Sequence, residues 1–182
     1  MEGGINAWNG LKAVGAPKSG MAYFSPATRP EELMALSWYL EEGARKFYFE
    51  MVQLQEDREA KDLFQRLTTE EENHKVSLVQ LHMEFSGAMS DQGFPGTVIS
   101  LGREGDVMEG GMSVSDALKW AKGKKLVDIL ELSLSSETHS YDLYLKMERQ
   151  IEDQRSAQVF HMLSRDEKEH LERLSLFLEN RI

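Results

Sequence analysis

Glu71-Glu72-Asn73-His74 and, later, Glu167-Lys168-Glu169-His170 are the two stretches whose reading decides the fold. Each has a Glu thirty residues ahead of its first member, Glu41 for Glu71 and Glu137 for Glu167. Positions 41, 71 and 74 become 137, 167 and 170 by one constant shift of 96. The same shift relates Leu36 to Leu132, Tyr48 to Tyr144, Met51 to Met147, Phe64 to Phe160, Leu67 to Leu163 and Leu78 to Leu174. One unit has therefore been written twice, and whatever the first copy folds into, the second should repeat.

Working outward, each copy reads as a helical hairpin. Thr28-Arg29-Pro30-Glu31-Glu32 opens helix 1, with Thr28 or Arg29 at the cap, Pro30 in the first turn and acids at the positive end of the dipole. Leu33, Leu36, Leu40, Phe47, Met51 and Leu54 then recur at helical spacing. Glu56-Asp57 marks the turn, with Asp57 capping helix 2, which carries Leu63, Phe64, Leu67, Val76, Leu78, Leu81 and Phe85. Residues 86–112 are glycine-rich and aperiodic, a connector and not a domain. A short helix capped by Ser113 or Ser115 ends near Gly123. Helix 3 runs from about Lys125 to Gln150, the Glu152-Asp153 turn follows, and helix 4 ends near Asn180. Helices of about 25 residues are roughly 38 Å long. The expected architecture is all-α: a four-helix bundle of two antiparallel hairpins joined by a long crossover that includes a short extra helix.

A Glu-x-x-His places both side chains on one helical face. Alone it is weak evidence, because a Glu-rich chain produces such matches by chance. Three further features turn it into a site. Glu71 and His74 lie in the row Phe64, Leu67, Leu78, Leu81, Phe85, and Glu167 and His170 in the row Phe160, Leu163, Leu174, Phe177. Glu41 shares its row with Met34, Ser37, Ala44, Tyr48 and Met51, and Glu137 with Leu130, Leu134, Tyr141, Tyr144 and Ile151. All four carboxylates thus fall on stripes that should be buried, where an ionised carboxylate without a compensating cation costs many kcal/mol. Depth is the second feature. Glu41 is fifteen residues before Glu56 and Glu71 fourteen after Asp57, and Glu137 and Glu167 stand at the same distances from Glu152 and Asp153. Each pair therefore sits at one level, about 22 Å from its turn. Charge is the third: four carboxylates and two divalent ions sum to zero, so the cluster can be desolvated as a neutral unit, with two imidazoles completing the donor set.

Composition narrows the chemistry. The 182 residues are 41% hydrophobic and 29% charged, which suits a domain with a real core. No apolar run spans a membrane and no basic-then-apolar leader is present, so a cytoplasmic location is expected. The formal charge of −10 argues against nucleic acid as a partner. Cysteine is absent, which removes disulfides, thiolate metal sites and iron–sulfur clusters. Carboxylate and imidazole donors suit iron, with manganese or zinc as substitutes.

A Glu on each of two helices plus Glu-x-x-His on each of the other two is the ligand set of ferritin-like di-metal carboxylate proteins, the group that serves as a standard example of such bundles. Glu41-Glu42-Gly43-Ala44-Arg45-Lys46-Phe47-Tyr48, and Glu137 through Asp142-Leu143-Tyr144, resemble the rubrerythrin branch, in which a Tyr follows the ligand Glu by seven. The resemblance covers residues 30–182, within an expected bundle domain of 29–182. It implies two iron ions cycling between Fe2+ and Fe3+, one His for each, bridging roles for Glu71 and Glu167, and terminal roles for Glu41 and Glu137. It also implies that Tyr48 and Tyr144 donate hydrogen bonds to the carboxylates, although both would serve equally as aromatic core.

Two departures stand out. Rubrerythrins typically carry a cysteine-ligated rubredoxin module, which this cysteine-free chain cannot form, so electrons must come from an external donor. They also place an extra Glu three residues after the third-helix ligand, and here that position is Ser140. His139 lies on another face from Glu137 and is expected at the surface or an interface; His82 and His161 read as structural or solvated. The N-terminal arm, residues 1–28, contains Glu2-Gly3-Gly4-Ile5-Asn6-Ala7-Trp8 and Gly15-Ala16-Pro17, which resemble the end of a rhodanese domain. It is either the remnant of such an upstream domain or an ordinary flexible arm.

The functional expectation is a rubrerythrin-like oxidoreductase that reduces peroxide or O2. An iron-binding or ferroxidase protein without peroxide turnover is one alternative, and an accessory module of a sulfurtransferase is another. Rubrerythrin-like bundles commonly pair, so a homodimer is expected, with Trp38, Phe49 and Trp120 as interface candidates.

Overall fold

A computed structural model describes residues 29–87, 89–91, 93–99 and 106–182. The rhodanese resemblance falls on residues 1–28, outside those described. Helices α1 (Pro30–Leu54) and α2 (Arg58–Ser86) form the first hairpin. A 3-10 turn at Glu109–Gly111 and the short α3 (Val114–Ala121) follow. Helices α4 (Leu126–Gln150) and α5 (Gln154–Glu179) form the second hairpin. The all-α, two-hairpin architecture with one extra short helix is the one the duplicated pattern predicts.

Helix boundaries follow the caps. The Arg29 backbone N–H donates to the Glu32 carboxylate at 2.9 Å, and Pro30 occupies the first turn, where a missing N–H costs nothing. Asp57 accepts from Ala60 N at 2.9 Å, and its counterpart Asp153 from Ser156 N at 2.7 Å. Ser113, not Ser115, caps α3 by accepting from Asp116 N at 3.1 Å. Helix α2 stops at Gly87, whose φ of 69° is a conformation that a side chain would strain.

The core divides into two apolar plugs with a polar layer between them. One plug gathers Met34, Leu36 and Leu40 of α1 with Leu78 and Leu81 of α2, Tyr144 and Met147 of α4, and Phe160 and Leu163 of α5. The other gathers Phe47, Tyr48 and Met51 with Phe64, Leu67, Ile129, Leu130 and Leu174. Each fully buried Leu, Met or Phe contributes about 1.5–3 kcal/mol of transfer free energy. That supply offsets the cost of burying the layer between. The expected apolar rows extend too far at one end: Phe85 is 40% exposed, and Val76, on the outer face of α2, 47%. Phe85 lies in the last helical turn before Gly87.

The connector is more structured than its glycine content suggested. Val107 and Ser113 form an isolated antiparallel bridge, and Met108 N donates to Met112 O at 3.0 Å. Gly110 and Gly111 turn the chain there with φ of 82° and 80°. The loop lies directly on α1, since a Cβ on Gly43 would stand 2.2 Å from the Val107 carbonyl oxygen. Only glycine at 43 permits that approach. Among the described residues, no helix is long and apolar enough to cross a membrane.

Candidate metal centre

Antiparallel packing of each hairpin at equal depth brings Glu41 to Glu71 and Glu137 to Glu167, and the facing of the two hairpins brings all six side chains together. Each of the six is at most 3% exposed. Donor atoms of Glu41, Glu71, His74 and Glu167 lie within 4.8 Å of one another, as do those of Glu71, Glu137 and His170. Three carboxylate oxygens ring the His74 Nδ1: Glu41 at 3.1 Å, Glu71 at 3.2 Å and Glu167 at 3.3 Å. The image under the 96-residue shift is also present. His170 Nδ1 has Glu137 at 3.2 Å, Glu167 at 3.4 Å and Glu71 at 3.6 Å. Glu71 and Glu167 thus approach both imidazoles, whereas Glu41 and Glu137 approach one each.

The tyrosines cross over. Tyr48 donates to Glu137 and Tyr144 donates to Glu41, each to the carboxylate of the opposite hairpin. Burial, and then the neighbouring carboxylates (Glu137 first for Tyr48, Glu41 first for Tyr144), push both phenols well above their usual range. They therefore remain protonated donors.

Taken as side chains alone, the cluster must be neutralised by protons. Burial, followed by the fields of Glu41, Glu167 and Glu137, pushes Glu71 well above the carboxylate range. Burial and Glu137 lift Glu167 to about 7. Burial opposes ionisation of Glu137 as well, but hydrogen bonding with Glu167 and the charge of His170 bring it to about 2. Glu41 is lowered in the same way, its burial outweighed by His74 and Glu71. Burial works against the charged imidazoles, yet Glu41 raises His74, and Glu167 and Glu137 raise His170, both well above the usual value. Two carboxyls and two imidazoles then hold four protons against two carboxylates. Two divalent cations supply the same four positive charges.

The donor set fits a metal pair on this arithmetic and on geometry. Buried oxygens Glu71 Oε1 and Glu167 Oε2 have no hydrogen-bond partner, which is costly unless a cation accepts them. His and carboxylate donors suit a borderline divalent ion. The imidazole nitrogens that face the cluster are Nδ1, leaving Nε2 to point outward.

The outward nitrogens break the symmetry. His170 Nε2 faces Glu70 Oε2 at 3.1 Å, and Arg173 Nη1 grips both Glu70 oxygens at 2.6 and 2.7 Å. Hydrogen bonding with His170 and Arg173 overcomes burial and holds Glu70 at about 2. His74 Nε2 faces Asp166, the counterpart of Glu70 under the shift, at 3.8 Å. One imidazole thus has a carboxylate close to its outer nitrogen and the other has one farther off. Sequence reading missed Glu70 and Asp166, although both precede the site Glu by one residue and obey the 96-residue shift.

It also missed Glu109. This connector residue is 5% exposed, with Ser136 Oγ 3.4 Å from its Oε2. Burial and then the fields of Glu41, Glu137 and Glu167 push it well above the carboxylate range. The signal available was an acid directly followed by Gly110-Gly111, in a stretch otherwise read as plain linker.

The other histidines stand apart from the cluster. His82 is buried and stacks on Phe94 with ring centroids 4.3 Å apart. His161 is exposed beside Glu148 at 3.1 Å. His139, expected at a surface or interface, is partly exposed, with the connector alongside: a Cβ at Gly110 would lie 3.4 Å from its ring. Of the three interface candidates, Trp38 is covered by Lys75, whose Nζ lies 4.7 Å from the ring, and Trp120 by Lys124 at 5.0 Å, while Phe49 is 47% exposed.

Fold and donor set together define a ferritin-like helical bundle with a candidate carboxylate and histidine metal site. The rubrerythrin family's model matches residues 128–181 of the second hairpin, which span nearly all of α4 and α5. The solved structure of a hypothetical protein from Pyrococcus furiosus is similar over 91% of this chain and 95% of that one, with a TM-score of 0.65 and 21% identity. At that identity the likeness speaks for the fold. The search of curated proteins finds no match. Nothing found supports the rhodanese resemblance.

Proposed function

We propose that this chain is a di-iron carboxylate protein that reduces peroxide or O2 with electrons from an external donor, as the rubrerythrin branch does. The observation that carries the reading is the buried six-ligand cluster, in which Glu71 and Glu167 each approach both imidazoles. Glu41 with His74 would hold one ion and Glu137 with His170 the other, bridged by Glu71 and Glu167. A bound iron pair supplies two adjacent one-electron ferrous–ferric steps. Iron is favoured over zinc because paired oxidation-state change is the use such a centre has.

The chain's own residues set the conditions. The two apolar plugs keep bulk water from the polar layer, which strengthens every charge interaction in it. Tyr48 and Tyr144 hold Glu137 and Glu41 in place from across the bundle, so that neither terminal carboxylate swings freely. Peroxide reduction consumes two electrons and two protons and releases two waters. These 182 residues contain no cysteine, so the electrons come from a donor outside them.

A second reading, iron binding and oxidation without sustained turnover, is favoured by one observation: Ser140 stands where rubrerythrins carry an extra carboxylate. One experiment separates the two. The protein is loaded with iron, reduced anaerobically and mixed rapidly with hydrogen peroxide, with and without excess reductant. The oxidoreductase reading expects reoxidation much faster than for free ferrous iron, and continued peroxide consumption while reductant lasts. A single stoichiometric oxidation supports the iron-handling reading. Reoxidation no faster than for free iron refutes the enzyme.

A further inference from the structure

Glu109 is a buried carboxylate for which the six-ligand site has no use. An apolar residue would suit its position better, because burying a carboxyl costs several kcal/mol more than burying a methylene chain of similar size. Among the described residues, no Lys, Arg or His lies within ion-pair distance of it. Its one side-chain partner is the Ser136 hydroxyl, at 3.4 Å from Oε2 and 3.5 Å from its own carbonyl oxygen. Ser136 immediately precedes Glu137 on α4, and Glu109 is near enough to feel the charge of the Glu137 carboxylate. It also feels the charges of Glu41 and Glu167.

The niche for this side chain is built from both hairpins. On α1, Gly43 lets the backbone of Val107 and Met108 lie against the helix; a Cβ there would meet Val107 O at 2.2 Å and Met108 N at 2.9 Å. On α4, Ser133, Ser136 and Ser140 are small and buried along one face. Gly110 and Gly111, both at positive φ, then turn the chain away again. Small residues at 43 and 136 admit the loop, and its buried acid, Glu109, lies against the Ser136 hydroxyl.

We propose that Glu109 is a fifth carboxylate of the metal centre, supplied by the connector to stabilise the oxidised, trivalent state of the pair. The inference rests on the di-metal reading above. Four carboxylates neutralise two divalent ions, and a fifth has no charge to balance in that state. Oxidation of both ions adds two positive charges to a site that water does not screen, and one ionised Glu109 offsets half of them. Removing its charge weakens the oxidised state more than the reduced one, so the reduction potential rises.

The test is a redox titration of the iron-loaded protein, followed by ferric absorbance, in wild type, Glu109→Gln and Glu109→Asp. Zn2+ stoichiometry is measured on each. The Gln variant should still bind two zinc ions, and its preference for ferric over ferrous iron should fall about tenfold, an upward shift of about 59 mV for a one-electron step. The Asp variant keeps the charge and should stay near wild type. Glu109→Met makes the same comparison with an apolar side chain, should the amide disturb the turn. Coincident potentials in wild type and the neutral variants, all holding two ions, would overturn the role of Glu109 and leave the di-metal reading standing. If wild type binds no metal pair, both fall together.

Discussion

Protons released on metal binding give the most direct measure of how this cluster is neutralised. At pH 6 the metal-free protein should carry protons on Glu71, on Glu167 (lifted to about 7), on His74 and on His170, while Glu41 and Glu137 are ionised. Binding two divalent ions requires all six groups in their deprotonated forms, so about four protons leave per pair of ions. The combined affinity should therefore rise about ten-thousandfold per pH unit near pH 6, which is about 5 kcal/mol at 1.36 kcal/mol per proton and unit. As pH rises through about 7, Glu167 loses its proton before metal arrives and the release falls by one from that group. Calorimetric titration with Mn2+ in two buffers of different ionisation enthalpy counts the protons directly, and a pH-stat titration checks the count. Fewer than about two protons released per ion pair at pH 6 would refute the reasoning. The carboxylates would then be balanced in some other way, and the buried-cluster electrostatics described above would be wrong.

Four more outcomes follow from particular contacts. The metal-free protein should lose stability as pH rises from about 4.5 through 7, because folded Glu167 holds its proton up to about 7 while the unfolded chain releases it near 4.5. That group alone contributes about 3 kcal/mol, and a melting temperature higher at pH 8 than at pH 5 would contradict it. Tyr48→Phe and Tyr144→Phe each leave a buried carboxylate without its donor and should cost similar amounts, about 1–3 kcal/mol of metal-free stability in chemical denaturation. Glu70→Gln should weaken one of two stepwise Co2+ or Mn2+ binding events by about 10–100-fold. Asp166→Asn, at 3.8 Å from its imidazole, should do less, and equal effects would remove the asymmetry. Gly43→Ala drives a methyl into the Val107 carbonyl and should destabilise by about 1–3 kcal/mol, measured by thermal melting.

Much of this was legible because the chain states its pattern twice. The shift of 96 exposes the helices, their turns at Glu56-Asp57 and Glu152-Asp153, and the six Glu and His positions, since helical periodicity and residue spacing are properties of the chain itself. Equal depth from the two turns even places each carboxylate pair at one level before any packing is known. Three things needed the tertiary structure. The crossing of Tyr48 to Glu137 and Tyr144 to Glu41 depends on how the hairpins face each other, which spacing within a hairpin does not specify. The closer approach of Glu70 to His170 than of Asp166 to His74 depends on a few tenths of an ångström between helices distant in sequence. Glu109 was hidden because the connector has no period from which to read a direction. Gly43 on one hairpin and Ser136 on the other make room for it, and sequence alone does not record how closely the connector approaches either helix.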